Sequence, residues 1–337
     1  MTDTTKKTIK KITKIAGTVA LYLSIFAVVW LGIGFILMPK SYEDLGGEYY
    51  FAYHSIFEED KDSIDVMFSG NSNTFKSCIP IEFYNSTGAT CYNIGGSAQS
   101  AQAMEARIKK VLKRQSPKLI IFDVDCLYDT NTFFTGSNAY RILPLIAPVF
   151  YHNAWSKLSF SSFKLPKDDK NFMKGYIALY ETYGYQISDD YMKSDTKKIK
   201  PLAKSVLKNM TNIYNICKDR DIDMLFISAP SPATWTNEKH NGIQQLADEW
   251  GIEYLDMNMP DSELGSVYGF DYYLHIADAG YHCNFVGAKL VTQFVSDYVN
   301  KHYAFEDRRV DKNYSKWNKQ YQEYKVYTAK KQSEYLN

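Results

Sequence analysis

The chain has 337 residues and carries 39 Lys and Arg against 38 Asp and Glu, a formal net charge of +1. That balance gives no nucleic-acid signal for the chain as a whole, and 45% hydrophobic residues suffice for one large core or at most two domains. Aromatic residues make up 15%, with 28 Tyr, a content that ordinary core and surface positions absorb and that sugar or partner contacts also use.

The N-terminus is the most decisive stretch. Lys6, Lys7, Lys10, Lys11 and Lys14 precede an uncharged run from Ile15 to Met38. A helix of about 24 residues, at about 1.5 Å each, crosses a hydrocarbon layer of roughly 30 Å. A secretory signal would have a shorter apolar region followed by a small-residue cleavage site, and "LMPKSYEDL" offers none. Residues 1–14 therefore read as a cytoplasmic basic segment and 15–38 as a transmembrane anchor, with the lysines holding the N-terminus inside. Residues 39–62 read as a juxtamembrane linker, and the chain from residue 63 onward is expected outside the membrane.

From residue 63 short apolar runs alternate with helical patterns. "IDVMFS" (64–69), "TCYNI" (90–94), "KLIIFDV" (118–124), "DMLFISA" (223–229) and "IEYLDM" (252–257) are the expected strands. Helices are expected from Pro80, over 98–115, near 200–219, near 237–250 and over about 285–301. The last has Asn284 at its N-cap position. Strands that are apolar nearly throughout are covered on both faces. The class is therefore α/β, a three-layer open parallel sheet with flanking helices, preceded by one transmembrane helix. Residues 126–199, with Gly136, Pro144, Pro148 and Pro166, interrupt the alternation and read as an insertion beside the site within a domain spanning 63–303. Residues 304–337 form a polar, aromatic extension. Tyr314, Trp317, Tyr321 and Tyr324 make a helical stripe there that packs on the domain or touches the membrane or a partner. Cys78, Cys91, Cys126, Cys217 and Cys283 have no C-x-x-C spacing and no metal-ligand pattern. Cys78 with Cys91 is a conceivable disulfide, and with five cysteines at least one stays free.

Ligands of open parallel sheets sit beyond the carboxyl ends of the strands. The polar residues there are Gly70-Asn71-Ser72-Asn73, Asn93 to Ser97, Asp123 and Asp125, "APSPATW" (229–235), and "HIADAGYHCNFVGA" (275–288). A hydroxyl nucleophile needs a base, a group that orients the base, and N–H donors aimed at the oxyanion. Ser72, His282 and Asp278 fill the first three roles, and Gly95, Gly96 and Asn73 are the candidate oxyanion or substrate-binding residues. No metal and no organic cofactor is implied. His240 and His275 are assigned to surface or supporting positions.

Over about 64–302 the chain resembles the SGNH/GDSL hydrolase superfamily. Gly70-Asn71-Ser72 matches the G-D-S block with Asn for Asp, Gly95 or Gly96 matches the second-block glycine, and His282 with Asn284 and Gly287 is similar to the final block. Two departures stand out. Asp278 is one residue too far from His282 for D-x-x-H, so the acid is Asp278 across a turn at Gly280, or else Asp271 or another carboxylate. "FDVDC" replaces the third block, whose asparagine would donate to the oxyanion, leaving Asn73 or Asn93 to compensate. With its anchor the chain looks most like envelope proteins that work with membrane O-acyltransferases, such as the D-alanine transfer protein and alginate-acetylation proteins. The resemblance implies an extracytoplasmic acyl esterase or acyltransferase acting on acetyl or D-alanyl groups of a cell-envelope polysaccharide or teichoic acid. The implied partners are that polymer, a membrane O-acyltransferase and, through the N-terminal helix, the cell membrane. A catalytically inactive binding partner of such an acyltransferase is the alternative, and a lipase has little support.

Overall fold

The computed structural model describes residues 2–128 and 142–336. Residues 129–141 of the expected insertion, Gly136 among them, lie outside the described residues. The chain divides into two compact units, residues 1–47 with 139–167, and residues 48–138 with 168–337.

The first unit is built on helix α1, Asp3–Leu37. Its mean hydropathy reaches 2.4, and among the described residues it is the one helix long and apolar enough to cross a membrane, a test that an anchor and a signal sequence both pass. It ends where Pro39 follows Met38, since proline disfavours helical backbone in the residue before it. In the same unit residues 143–150 form a short helix, followed by 3-10 turns at His152–Lys157 and Phe160–Phe163.

The second unit is an α/β sheet domain. Helix α2 spans Gly47–His54. Strand β1 (Val66–Ser69) leads into α3 (Ser72–Ser77) and α4 (Pro80–Thr87), then β2 (Cys91–Asn93), α5 (Ala101–Val111) and β3 (Leu119–Asp123). Numbering the 143–150 helix α6, there follow α7 (Lys204–Lys218), β4 (Asp223–Ser228), α8 (Asn237–Trp250) and β5 (Glu253–Asp256). Short helices α9 (Glu263–Ser266) and α10 (Tyr272–His275) precede α11 (Phe285–His302) and α12 (Ser315–Leu336).

All neighbouring strands are parallel, in the order β2-β1-β3-β4-β5. The parallel sheet with flanking helices expected from the sequence is the observed architecture. Strands β1, β2 and β3 are buried along their whole length, while β5 at the edge is half exposed. Helices α4 and α11 pack on one another, as do α5 and α7. Chain order reverses between β1 and β3, which places a crevice at their carboxyl ends, the switch point where such sheets bind ligands. All five cysteines are free and buried, so the Cys78–Cys91 disulfide does not form. Each thiol lies inside the apolar core, and burial pushes the Cys283 thiol up to about 12.

Helix α12 places Trp317 and Tyr324 in the core of this unit, with Trp317 tilted against Tyr84 at 5.2 Å between ring centroids. Its approach is fixed by Arg308, whose Nε and Nη2 donate to the two Asp65 oxygens at 3.1 and 3.0 Å. A second tie is buried. Lys174 Nζ donates to Glu59 Oε1 at 2.6 Å and stands 4.2 Å from the Trp317 ring centroid.

Candidate active site

Ser72 follows β1 after the two-residue turn Gly70-Asn71 and is the first residue of α3. Gly70 makes this turn possible, because a Cβ there would lie 2.0 Å from Thr74 Oγ1 and 2.9 Å from Asp123 O. Asn71 caps the helix, its side-chain oxygen accepting the Asn73 N–H at 2.9 Å. That cap explains why Asn serves where an Asp might stand, since the job needs only an acceptor.

The structure brings Ser72, His282 and Asp278 together. Ser72 Oγ lies 2.8 Å from His282 Nε2, and His282 Nδ1 lies 2.6 Å from Asp278 Oδ2. With the imidazole proton on Nδ1, the ring donates to Asp278 and accepts from the serine hydroxyl. The four-residue spacing is closed by a turn. Asp278 Oδ1 accepts the N–H of Tyr281 at 3.1 Å and of His282 at 2.9 Å, with Gly280 at φ +90°. Burial pushes the Asp278 carboxyl up. The hydrogen bond and charge of His282 and the two backbone N–H groups outweigh that and hold it below the ordinary carboxylate value. Asp271 instead caps α10, accepting from Tyr273 N and Leu274 N, and its own N–H donates to His275 Nδ1 at 2.9 Å. Asn284 caps α11 by accepting the Gly287 N–H at 2.9 Å, while its amide donates to Leu274 O and Thr182 Oγ1.

The donor side is more restricted. Gly95 N–H donates to Asn93 Oδ1 at 2.9 Å, and Gly96 N–H donates to Gly70 O at 3.1 Å. Asn93 Nδ2 is itself bonded to Thr74 O and Cys78 O. Asn73 sends its amide to Asp125 Oδ2 at 3.0 Å. Among the described residues the Ser72 N–H, an orphan of the first helical turn, has no hydrogen-bond partner. Asp125 stands in the segment that replaces the third block, and it accepts from Asn73, from Thr234 Oγ1 at 2.9 Å and from Lys239 Nζ at 2.9 Å. Asp123 is fully buried, and burial and then the Asp125 charge raise its carboxyl well above the ordinary value.

No protein-family model matches the chain. No curated protein matches it either. Several solved structures do. A protein assigned as an acylhydrolase from Bacteroides fragilis NCTC 9343 is 12% identical, covering 74% of this chain and 94% of its own, at a TM-score of 0.37. A GDSL-like lipase from Bacteroides thetaiotaomicron VPI-5482 is 12% identical, covering 75% and 98%, at 0.37. A protein of the G-D-S-L family from Desulfitobacterium hafniense DCB-2 is 12% identical, covering 69% and 98%, at 0.37. Likeness this distant decides nothing about substrate, and the chemistry rests on the residues themselves.

Three further residues complete the surroundings of the site. Thr234, in the "APSPATW" stretch beyond β4, and Lys239 reach Asp125 from more than a hundred positions away, and no local pattern pairs either with it. Lys76 lies one helical turn after Ser72 and is buried, its ammonium 5.6 Å from the Phe75 ring centroid and 5.8 Å from that of Tyr49. Burial pushes its charged form down, opposed by Glu48, Asp278 and Glu181. A cavity of about 610 Å³ opens beside β5, walled by Tyr254, Asp256, Tyr268 and Tyr298 among others. Ser72, Asp278 and His282 are not in its walls, so cavity size does not locate this chemistry. His240, also in that wall, is held by Asp256 Oδ2 at 2.8 Å from its Nδ1.

Proposed function

We propose that the protein is a membrane-anchored, extracytoplasmic serine acyl esterase or acyltransferase of the SGNH/GDSL type, acting on acetyl or D-alanyl groups of a cell-envelope polysaccharide or teichoic acid. The observation that carries the reading is the unbroken relay Ser72 Oγ–His282 Nε2–Asp278, at 2.8 and 2.6 Å. Ser72 Oγ attacks the ester carbonyl carbon while His282 Nε2 takes its proton. Asp278 holds the ring in that tautomer and stabilises the imidazolium. His282 then returns the proton to the leaving alkoxide, which departs from the acyl-Ser72 ester. Water or a polymer hydroxyl, deprotonated by His282, then attacks that ester, and His282 passes the proton to Ser72 Oγ as it leaves the acyl carbon. The Ser72 N–H, unpaired among the described residues, is the first donor offered to the oxyanion. A second donor comes from the other N–H of the Asn73 amide, whose first goes to Asp125, or from a Gly95 or Gly96 N–H that exchanges its internal acceptor for substrate, and each missing donor costs roughly 3 kcal/mol of transition-state stabilisation.

Those engaged glycine donors are the specific observation that favours a second reading, a silent domain that holds polymer or docks a membrane O-acyltransferase. Hydrolysis of p-nitrophenyl acetate by the full-length protein in detergent separates the two. The enzyme reading expects turnover that falls to background in Ser72→Ala. Equal, background-level turnover by wild type and variant, with both proteins folded, favours the silent domain.

A further inference from the structure

The stretch from residue 143 to residue 165 turns unusually large apolar side chains to the outside. Leu145, Val149, Trp155, Phe160, Phe163 and Leu165 are all exposed, Phe160 at 95% and Leu165 at 80%. Scattered surface apolar residues need no explanation, but six within about twenty positions form a patch that does.

What covers the patch is indicated by what it is built on. Helix α6 packs along the outer end of α1. Trp30 Nε1 of α1 donates to Leu145 O at 2.6 Å. Gly34 brings the helices together, since a Cβ there would sit 3.2 Å from both Ala147 Cβ and Pro148 Cδ, the close approach that small residues give membrane helices. The segment returns at Lys167, whose N–H donates to Lys40 O at 3.0 Å. Helix α1 therefore serves as a depth ruler. Met38 marks the end of the apolar run, and Trp30 lies about 12 Å farther in at about 1.5 Å per residue. Helix α6 lies beside Trp30 and Gly34, and the turns after it line a cavity with residues 36–45, at the end of the apolar run. The exposed apolar side chains continue the exposed face of α1 itself, where Val28 and Val29 also point outward. Lys157 and Lys164 are exposed on the returning turns, suited to anionic headgroups.

We infer that residues 143–165 form a re-entrant hairpin immersed in the same leaflet of the lipid bilayer as the outer end of α1, giving the protein a second membrane contact. The inference rests on the reading of α1 as a membrane anchor. Backbone burial in lipid requires satisfied polar groups. The helical bonds of α6 and the Trp30 donation meet that need at its deepest point. The patch is assigned to lipid rather than to a protein because it is continuous with a helix whose remaining surface is itself exposed and apolar.

The test uses the tryptophans already present, because Trp155 marks the hairpin and Trp30 marks α1. Full-length protein is placed in phosphatidylcholine–phosphatidylglycerol bilayers whose acyl chains carry bromine at shallow or deep positions. Wild type is compared with Trp155→Phe and Trp30→Phe, and Phe160→Trp serves as an independent reporter should either variant fold poorly. The expected result is bromine quenching of the Trp155 component, stronger from shallow than deep bromines, weak quenching by aqueous iodide, and added lipid-quenched emission in Phe160→Trp. Quenching of Trp30 without quenching of Trp155 or of the Phe160→Trp reporter would overturn the hairpin while leaving the anchor, and iodide then reports whether water or protein covers the patch. Absence of quenching at Trp30 as well overturns the anchor reading, and the hairpin with it.

Discussion

At His282 two hydrogen bonds of opposite sense meet on one ring, and this small constellation carries most of the functional claim. Asp278→Asn keeps the shape but no longer fixes the proton on Nδ1, so activity should fall by roughly 10⁴-fold while thermal stability changes little. Steady-state kinetics beside a melting curve checks both. The turn that presents Asp278 depends on Gly280, where a Cβ would meet Tyr185 Cε2 at 2.7 Å and Ala233 Cβ at 2.9 Å. Gly280→Ala should therefore cost activity and about 1–3 kcal/mol of stability together, and a Gly280→Ala protein with unchanged kcat/KM would contradict that role. Asp123 makes a prediction in pH. Its folded value is raised by burial and by Asp125, so between the ordinary carboxylate value and the raised one the unfolded chain has lost a proton that the native state keeps. Stability then falls as pH rises through that window, by about 1.4 kcal/mol per unit at most. Asp123→Asn should flatten the decline, and denaturant melts at pH 5, 6 and 7 would show an unchanged slope if the account is wrong. At this scale the meeting of Ser72, His282 and Asp278 was legible because each follows a strand end or precedes a capped helix. The Asp125 cluster was not, because its partners meet only through the fold, and sequence carries no sign that the Gly95 and Gly96 N–H groups are spent internally.

Among the elements, strands β1 and β3 matter most, since the crevice opens where the chain order reverses between them. Their apolar runs were readable from composition alone, and so was α11, whose apolar pairs recur at helical spacing behind Asn284. Helix α12 shows what pattern cannot supply. Its stripe announces an apolar face, while the partner of that face depends on Arg308 reaching Asp65 and on Lys174 and Glu59 beneath Trp317. Lys174 is fully buried, and burial first, opposed by the Glu59 charge and hydrogen bond, lowers its value. Lys174→Met should leave the Glu59 carboxylate buried without its counter-charge and cost about 3–5 kcal/mol. The double variant Lys174→Met with Glu59→Leu should recover much of that loss. Urea titrations of the four proteins measure the coupling, and additive effects would show that the pair is not what holds α12 in place.

Across the whole molecule the two compact units divide the work chemically. One offers a long apolar helix with an apolar hairpin against it, and the other offers a parallel sheet with a serine relay at its switch point. The sheet was foreseeable from five apolar runs spaced by helical patterns. The side chains of 143–165 that rest on α1, and those that point away from it, were not foreseeable, because short proline-broken helices and 3-10 turns carry no usable periodicity. The claim on which the functional reading stands is that Ser72 Oγ is an activated nucleophile. Reaction of the full-length protein with a fluorophosphonate, followed by intact-mass and peptide mapping, tests it most directly. The account predicts one covalent adduct on Ser72, absent in Ser72→Ala and strongly slowed in His282→Gln. Folded wild-type protein that acquires no adduct, or an adduct that persists in Ser72→Ala, would contradict it.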